Sequence, residues 1–463
     1  MIRSRPSTRL RWAQRCLNLT VLGVLSTNPC DATNYFIAPP PLGSSGGSGL
    51  DWANASSDLA GKMSAALPGD NLFVIENSLF QTVPGSTLGF SLPAGVGLYG
   101  GFAGTELNLP PLGNPQTTVL DGLSTAHHVI SVGPASASSG LTTIGYLKIA
   151  NGNCLAVSNG AGITVSGGSL LLTNCFLFQN QANNGGAIWS SGTALSMKNC
   201  TFWHNFANFN GAALWGSRIS GRIDNCTFKE NGAESNGGAV YLQSIASTYE
   251  VMPPYDPSPN VKFVNCLLRD NESNTGGAAY LAGGSTTSGK ASWINCSFVE
   301  NSSRDGLDGL TIHADDTQNV DAVSVMRNSV VWATLVPAVR HLGGGQHLVR
   351  YSDIRDTIPN SGWSGVSSNN KINADPLLSA SYAPQLGSAL LECANSSFLP
   401  LDVLDIDEDG NTTEVLPIDL RLMGGSPGQQ SRAWDDPATV NTGTGTVAGV
   451  PVTYLDMGAI EYH

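Results

Sequence analysis

Apolar and polar positions in the middle of the chain recur with a long period. Asparagine-cysteine dipeptides fall at Asn174-Cys175, Asn199-Cys200, Asn225-Cys226, Asn265-Cys266 and Asn295-Cys296, spaced by 25, 26, 40 and 30 residues. Two residues after each cysteine comes Leu177, Phe202, Phe228, Leu268 or Phe298, and five after it Asn180, Asn205, Asn231, Asn271 or Asn301. A small-residue step follows: Gly185-Gly186, Asn210-Gly211, Gly237-Gly238, Gly276-Gly277 and, in the last unit, a lone Gly306. Then come Ala187-Ile188, Ala212-Ala213, Ala239-Val240 and Ala278-Ala279. Within each unit the apolar residues alternate with period two, so the cysteine and the Phe or Leu after it share the inner face of a short strand.

Self-similarity at about 20 to 50 residues means a solenoid, a propeller or an array. No unit has helical spacing, which excludes ankyrin, tetratricopeptide and HEAT-type stacks, and the patterns of propeller blades are missing. About 25 residues at ~3.3 Å each make one turn of a parallel β-helix with three short strands joined by bends. In-register stacking sets like residues about 4.8 Å above one another, so one residue type recurs at one position as a ladder.

Each ladder has its own physics. The asparagine column suits a bend where the backbone visits the left-handed region and side-chain amides bond from coil to coil. The glycine pair turns the chain without a Cβ clash. Cysteine serves as a small buried hydrophobe. Neighbouring coils keep Cβ vectors parallel, whereas a disulfide wants converging Cβ atoms about 3.8 Å apart, so free buried thiols are expected. A linear ladder cannot wrap zinc tetrahedrally either.

The stretches "NCTFWHNFANFNGAALW" and "NCTFKENGAESNGGAVYL" resemble the repeats of polymorphic outer-membrane-protein-like right-handed parallel β-helices, with their paired "FxxN" and "GGAI" signatures. Phe202 to Asn205, Phe228 to Asn231 and Phe298 to Asn301 match the first signature, and Gly185 to Ile188 and Gly237 to Val240 the second. The opening "TNYFIAPPPLGSSGGSGLDWANASSDLAGKMSAALPGDNLFV" and "GVGLYGGFAGTE" look like those of secreted bacterial β-helix proteins. The ending "DMGAIEYH" is similar to that of the choice-of-anchor type Q family. The resemblance implies an all-β, pectin-lyase-like fold. That family often adds a sorting anchor at this point; the chain given stops at His463, so a soluble product is expected.

Outside the repeats, residues 1–32 carry five arginines before residue 16 and a short apolar run from Cys16 to Leu25, ending at Ala32. This reads as a secretory signal peptide, with a basic transit sequence as the alternative, and no later segment is apolar enough to span a bilayer. Residues 33–69 form an amino-terminal cap in which Trp52, Leu59, Met63 and Ala66 share a helical face that plugs the core. Coils run over 70–374, roughly ten by period, interrupted by the insertion "QSIASTYEVMPPYDPSPN", either a functional loop or a tolerated length change. Residues 375–463 read as a β-rich module capping the far end.

A formal net charge of -13 repels nucleic acid and anionic lipid and disfavours a polyanion such as pectate unless calcium bridges the charges, or simply serves solubility; no nucleic-acid partner is expected. A monomer is expected.

Chemistry could reside at three places. The column before the ladder asparagine reads Gln179, His204, Glu230, Asp270 and Glu300, flanked by Phe178, Trp203, Lys229, Arg269 and Val299. Stacked acids there could hold a cation or supply an acid-base pair, or simply be neutralised by Lys229 and Arg269. A second column, Trp189, Leu214, Tyr241 and Tyr280, makes a strip for stacking on sugar rings if it faces out, and core if it faces in. In "DIDEDGN", Asp405, Asp407 and Asp409 have calcium-loop spacing, but Leu416 stands where a bidentate Glu is expected, leaving Glu414 or Asp419 as substitutes. "RIDN" at Arg222 and "HADD" at His313 only partly match polygalacturonase motifs, and the Asp-rich calcium and Arg-base motifs of pectate lyases are absent. The expectation is a secreted or cell-surface protein that binds carbohydrate or a surface partner without catalysis. A polysaccharide lyase or glycoside hydrolase is the alternative, and a structural surface protein the third reading.

Overall fold

Short in-register strands set the architecture of this computed structural model. Residues 1–31, 110, 112–114, 135–138, 156–157, 244–260, 284–289, 305–310, 317–322, 334–338, 344–345, 356–362, 365–368, 409, 416–445, 448–449, 452–455 and 460–463 lie outside its described residues. The signal segment (all but Ala32), most of the insertion, Gly306, Asp409, Leu416 and Asp419 therefore fall outside them.

The chain is a right-handed parallel β-helix. One turn shows how it is made. Ala194–Lys198 lies in a twelve-stranded sheet one, Thr201–Trp203 in an eleven-stranded sheet two, Phe206–Asn210 in a five-stranded sheet three and Leu214–Ser217 in a nine-stranded sheet four. The next strand, Gly221–Asp224, returns to sheet one, and all pairings between coils are parallel. The expected coil of three strands thus has a fourth in five successive turns, because the chain stays extended after the ladder asparagine instead of bending at once to the glycine step.

In each of the five repeat units two non-glycine residues adopt the left-handed region. The Asn of Asn-Cys is one such position (φ 52–55° at Asn174, Asn199, Asn225, Asn265 and Asn295). The other is not the ladder asparagine, as expected, but the residue before it: Gln179, His204, Glu230, Asp270 and Glu300, at φ 51–55°. The correction has a physical sense. Flipping the preceding residue outward turns the asparagine fully inward, where Asn205, Asn231 and Asn271 are at most 1% exposed. There each Nδ2 donates to the next Oδ1, Asn180 to Asn205 at 3.1 Å, Asn205 to Asn231 at 3.0 Å, Asn231 to Asn271 at 2.9 Å and Asn271 to Asn301 at 2.8 Å.

The core is one column of layers, with Phe202 stacked on Phe228 at 4.7 Å and 4°, as in-register stacking requires. Cys175, Cys200, Cys226, Cys266 and Cys296 are free and buried, and burial pushes the thiols of Cys175, Cys226 and Cys296 up. The cap helix is Leu59–Ala65, whose Leu59 and Met63 close the end of the core. Trp52 is not on that face. It sits on a separate turn, Trp52–Asn54, outside sheet one against Phe36 at 5.0 Å and Phe102 at 5.9 Å. The described part of 375–463 is mostly turns and returns along the flank of the coils: Met457 packs by Val330, Ile406 by Val264 and Ile294, and Glu408 reaches Tyr146.

Candidate functional site

Sheet two presents the richest outer surface. In its middle coils, as at Phe176–Phe178, Thr201–Trp203, Thr227–Lys229 and Leu267–Arg269, the strands are three residues long, so the middle residue points inward and the two flanking ones outward. Phe202 and Phe228 are inside, while Thr201 and Trp203, Thr227 and Lys229, and on the next coil Arg269, line a cavity of about 290 Å³. Phe176, one coil earlier, and Gln116, on the turn Pro115–Thr117, complete its lining.

The side chains here are locked together. Lys229 Nζ lies 4.4 Å from the centre of the Trp203 ring, and His204 stacks on that ring at 4.9 Å. Trp203 Nε1 donates to Glu230 Oε2 at 3.0 Å, His204 Nε2 lies 3.0 Å from the same oxygen, and Lys229 Nζ is 3.2 Å from Oε1. Arg269 contacts Asp270, lies 3.9 Å from Glu230 and sits over the Tyr382 ring at 4.7 Å. Partial burial would raise the Glu230 carboxyl, but the bonds from Trp203 and Lys229 and the charges of Lys229 and His204 outweigh it and hold it below the usual range. A general acid at neutral pH needs the opposite shift. Glu230, Asp270 and Glu300 directly follow Lys229, Arg269 and Val299, which pair with one another on successive coils. Glu230 and Asp270 are arranged as counter-ions.

The aromatic column lies on sheet four on the side away from Ile188, Leu214, Val240 and Ala279, which occupy the interior; Trp189 and Tyr241 are half-buried and Tyr280 is buried. Its second member is Trp215, not Leu214: the strands pair Trp189 with Trp215 and Trp215 with Tyr241. The cause is an extra residue in Phe206–Asn210, which makes Gly211 the first position of the glycine step, at φ 61° like Gly185 and Gly237. The rings stack on one another, Trp189 on Trp215 at 5.4 Å and 6°, Trp215 on Tyr241 at 6.4 Å and 6°, Tyr241 on Tyr280 at 5.4 Å and 9°, and Tyr280 on His313 at 4.9 Å and 19°. A sugar stacks on an open ring face. Here each ring is stacked on its neighbours along the whole column, which makes a structural rib; Trp203 on sheet two is also covered, by Lys229 and His204, so what distinguishes sheet two is its groove and not an open ring face.

The calcium-loop spacing is also rearranged. Asp405 Oδ1 accepts from Gly410 N at 3.1 Å, while Asp407 comes together with Asp402 and Glu414, one carboxylate oxygen from each lying within 4.8 Å of the others. Asp402 was missed because nothing in the motif marks it. Only the bridge between Leu401 and Val415 brings it beside Glu414, with Asp402 N donating to Glu414 O at 2.9 Å.

No protein-family model matches the sequence, and no curated protein does. Among solved structures, the chain is similar to a pectate lyase (14% identity, 94% of this chain and 97% of the other, TM-score 0.38). It is also similar to a family 136 lacto-N-biosidase from Eubacterium ramulus (13%, 73% and 67%, TM-score 0.37) and to a rhamnogalacturonan lyase (10%, 73% and 90%, TM-score 0.36). The parallel β-helix itself is read from the strand pairings between coils. At such identities and scores the likeness assigns neither activity nor substrate.

Proposed function

We propose that the protein is a secreted or cell-surface β-helix that binds a neutral or sparsely charged glycan along the outer face of sheet two. The observation that carries this reading is the groove of about 290 Å³ with Phe176 and Trp203 as apolar wall, Thr201 and Thr227 as hydroxyl floor, and Lys229 and Arg269 at the rim. Apolar walls with a few fixed polar groups are what a sugar ring recognises. The rim cations are matched by Glu230 and Asp270, which removes the excess positive charge a polyanion would want. Secretion rests on the arginine-rich start followed by a short apolar run, and likeness to the choice-of-anchor type Q proteins on the ending "DMGAIEYH".

A glycan array with the purified chain, run beside reducing-sugar and unsaturated-product assays, tests the reading. Binding without turnover is the expected result. Turnover lost in Glu230→Gln or Asp270→Asn would replace it with a lyase or hydrolase acting in the same groove. Absence of any binding would leave a structural surface protein.

A further inference from the structure

We propose that Asp402, Asp407 and Glu414 bind a calcium ion that fastens the segment 399–415 to the flank of the β-helix. Two independent observations meet here. The first is the cluster itself: three carboxylate oxygens within 4.8 Å of one another, the span that two ligands can take across a cation with Ca–O distances of about 2.4 Å. An all-oxygen set of carboxylates is the donor chemistry that calcium takes, and magnesium serves as the comparison in the test.

The second is the state of Asp402. The residue is 0% exposed, its Oδ2 accepts from Ile406 N at 2.9 Å, and its Oδ1 is buried with no hydrogen-bond donor. A buried carboxylate oxygen without a partner costs several kcal/mol unless a cation faces it. The nearby Arg222 guanidinium favours the ionised carboxylate by its charge but makes no hydrogen bond to Asp402 Oδ1, with Nε on Asp224 and Nη1 on Leu401 O at 2.6 Å.

The segment crosses several coils. Lys198 Nζ donates to Asp405 O at 2.5 Å, Asn199 Nδ2 to Ile406 O at 2.8 Å, and Tyr146 and Asn174 to Glu408 Oε1 at 2.6 and 2.8 Å. Neutralising the acids at its centre would let it lie flat across those coils.

The test is calorimetric titration of the chelator-treated full chain with calcium chloride, magnesium chloride as comparison, together with melting curves in calcium and in EDTA. One calcium site is expected, weakened at least tenfold in Asp407→Asn and in Glu414→Gln but not in Glu234→Gln, an acid paired with Arg304 on the coil surface. EDTA should lower the melting temperature of the parent and leave Asp407→Asn unmoved. Absence of calcium heat, or equal affinity in all variants, overturns the proposal. Should a variant fail to fold, proteolysis of the parent decides: calcium must protect bonds within 399–415, and unchanged cleavage overturns the site. Asp402→Asn separates a metal ligand from a carboxyl that is merely protonated. The metal reading requires lost affinity, and unaltered calcium binding contradicts it.

Discussion

Replacing Asn231 with alanine removes the middle rung of the amide ladder. In the parent, Asn231 Oδ1 accepts from Asn205 N at 3.1 Å and from Asn205 Nδ2 at 3.0 Å, and Asn231 Nδ2 donates to Phe202 O at 3.0 Å and to Asn271 Oδ1 at 2.9 Å. Alanine leaves two donors of Asn205 orphaned, and Asn205 is 1% exposed, so water cannot replace the lost partner without opening the coil. At about 1–3 kcal/mol for each buried unsatisfied donor, the expected loss is about 2–6 kcal/mol. Asn180→Ala is the internal control. Asn180 Oδ1 accepts only from Gly152 N, at 3.0 Å, so one donor is orphaned and about half the loss follows. Asn231→Asp keeps the acceptor but sets a carboxylate oxygen against Phe202 O and Asn271 Oδ1, so it should be the worst of the three at pH 7 and recover in acid. Urea unfolding followed by both circular dichroism and tryptophan fluorescence reads the midpoints, coincidence of the two probes licensing conversion to free energy in a repeat fold. A loss below about 1 kcal/mol in Asn231→Ala, or an equal loss in Asn180→Ala, would refute the ladder argument.

Burial pushes the Asp353 carboxyl up to about 7. Because the unfolded chain ionises near 3.9 and the folded one near 7, this residue's contribution is intact below about pH 4 and lost as pH rises through 7. Stability should fall by about 2 kcal/mol between pH 5 and 7 on this account, and Asp353→Asn should flatten that slope in denaturation series. A slope unchanged in the variant would assign it elsewhere. The seven described cysteines should not react with a thiol reagent in the native state, leaving at most Cys16 and Cys30, and all should react on unfolding. Rapid native labelling of Cys200 or Cys226 would contradict the buried ladder. Gly238→Ala should cost at least about 2 kcal/mol or abolish expression, since an added Cβ would lie 2.1 Å from Gly277 O and 2.6 Å from Glu272 O. A melting temperature within a degree of the parent would sink that argument.

What was legible in the sequence is what stacking repeats. Cys226, Phe228 and Asn231 each answer to a column, so their identity betrays their direction. Two errors share one origin. The single extra residue in Phe206–Asn210 moved the glycine step by one, and with it the aromatic column from Leu214 to Trp215. Likewise, whether Asn205 or His204 takes the left-handed backbone decides which side chain turns in, and the spacing is the same either way. The groove was harder to find. Trp203, Lys229 and Arg269 were visible as a column, but Gln116 and Tyr382 come from about 90 residues before and about 110 after, and only the fold brings them to that face. Asp402 escaped for the same reason, its partner Glu414 being set by a two-residue bridge rather than by motif spacing.

The central claim is that the outer face of sheet two, and not the stacked rib on sheet four, engages glycan. The most direct measurement is affinity for the best glycan from the array in Trp203→Ala and in Trp189→Ala, each first shown to melt as the parent does. The account predicts at least a tenfold loss, about 1.4 kcal/mol, for Trp203→Ala and less than a twofold change for Trp189→Ala. Unchanged affinity in Trp203→Ala, or the larger loss in Trp189→Ala, would contradict it.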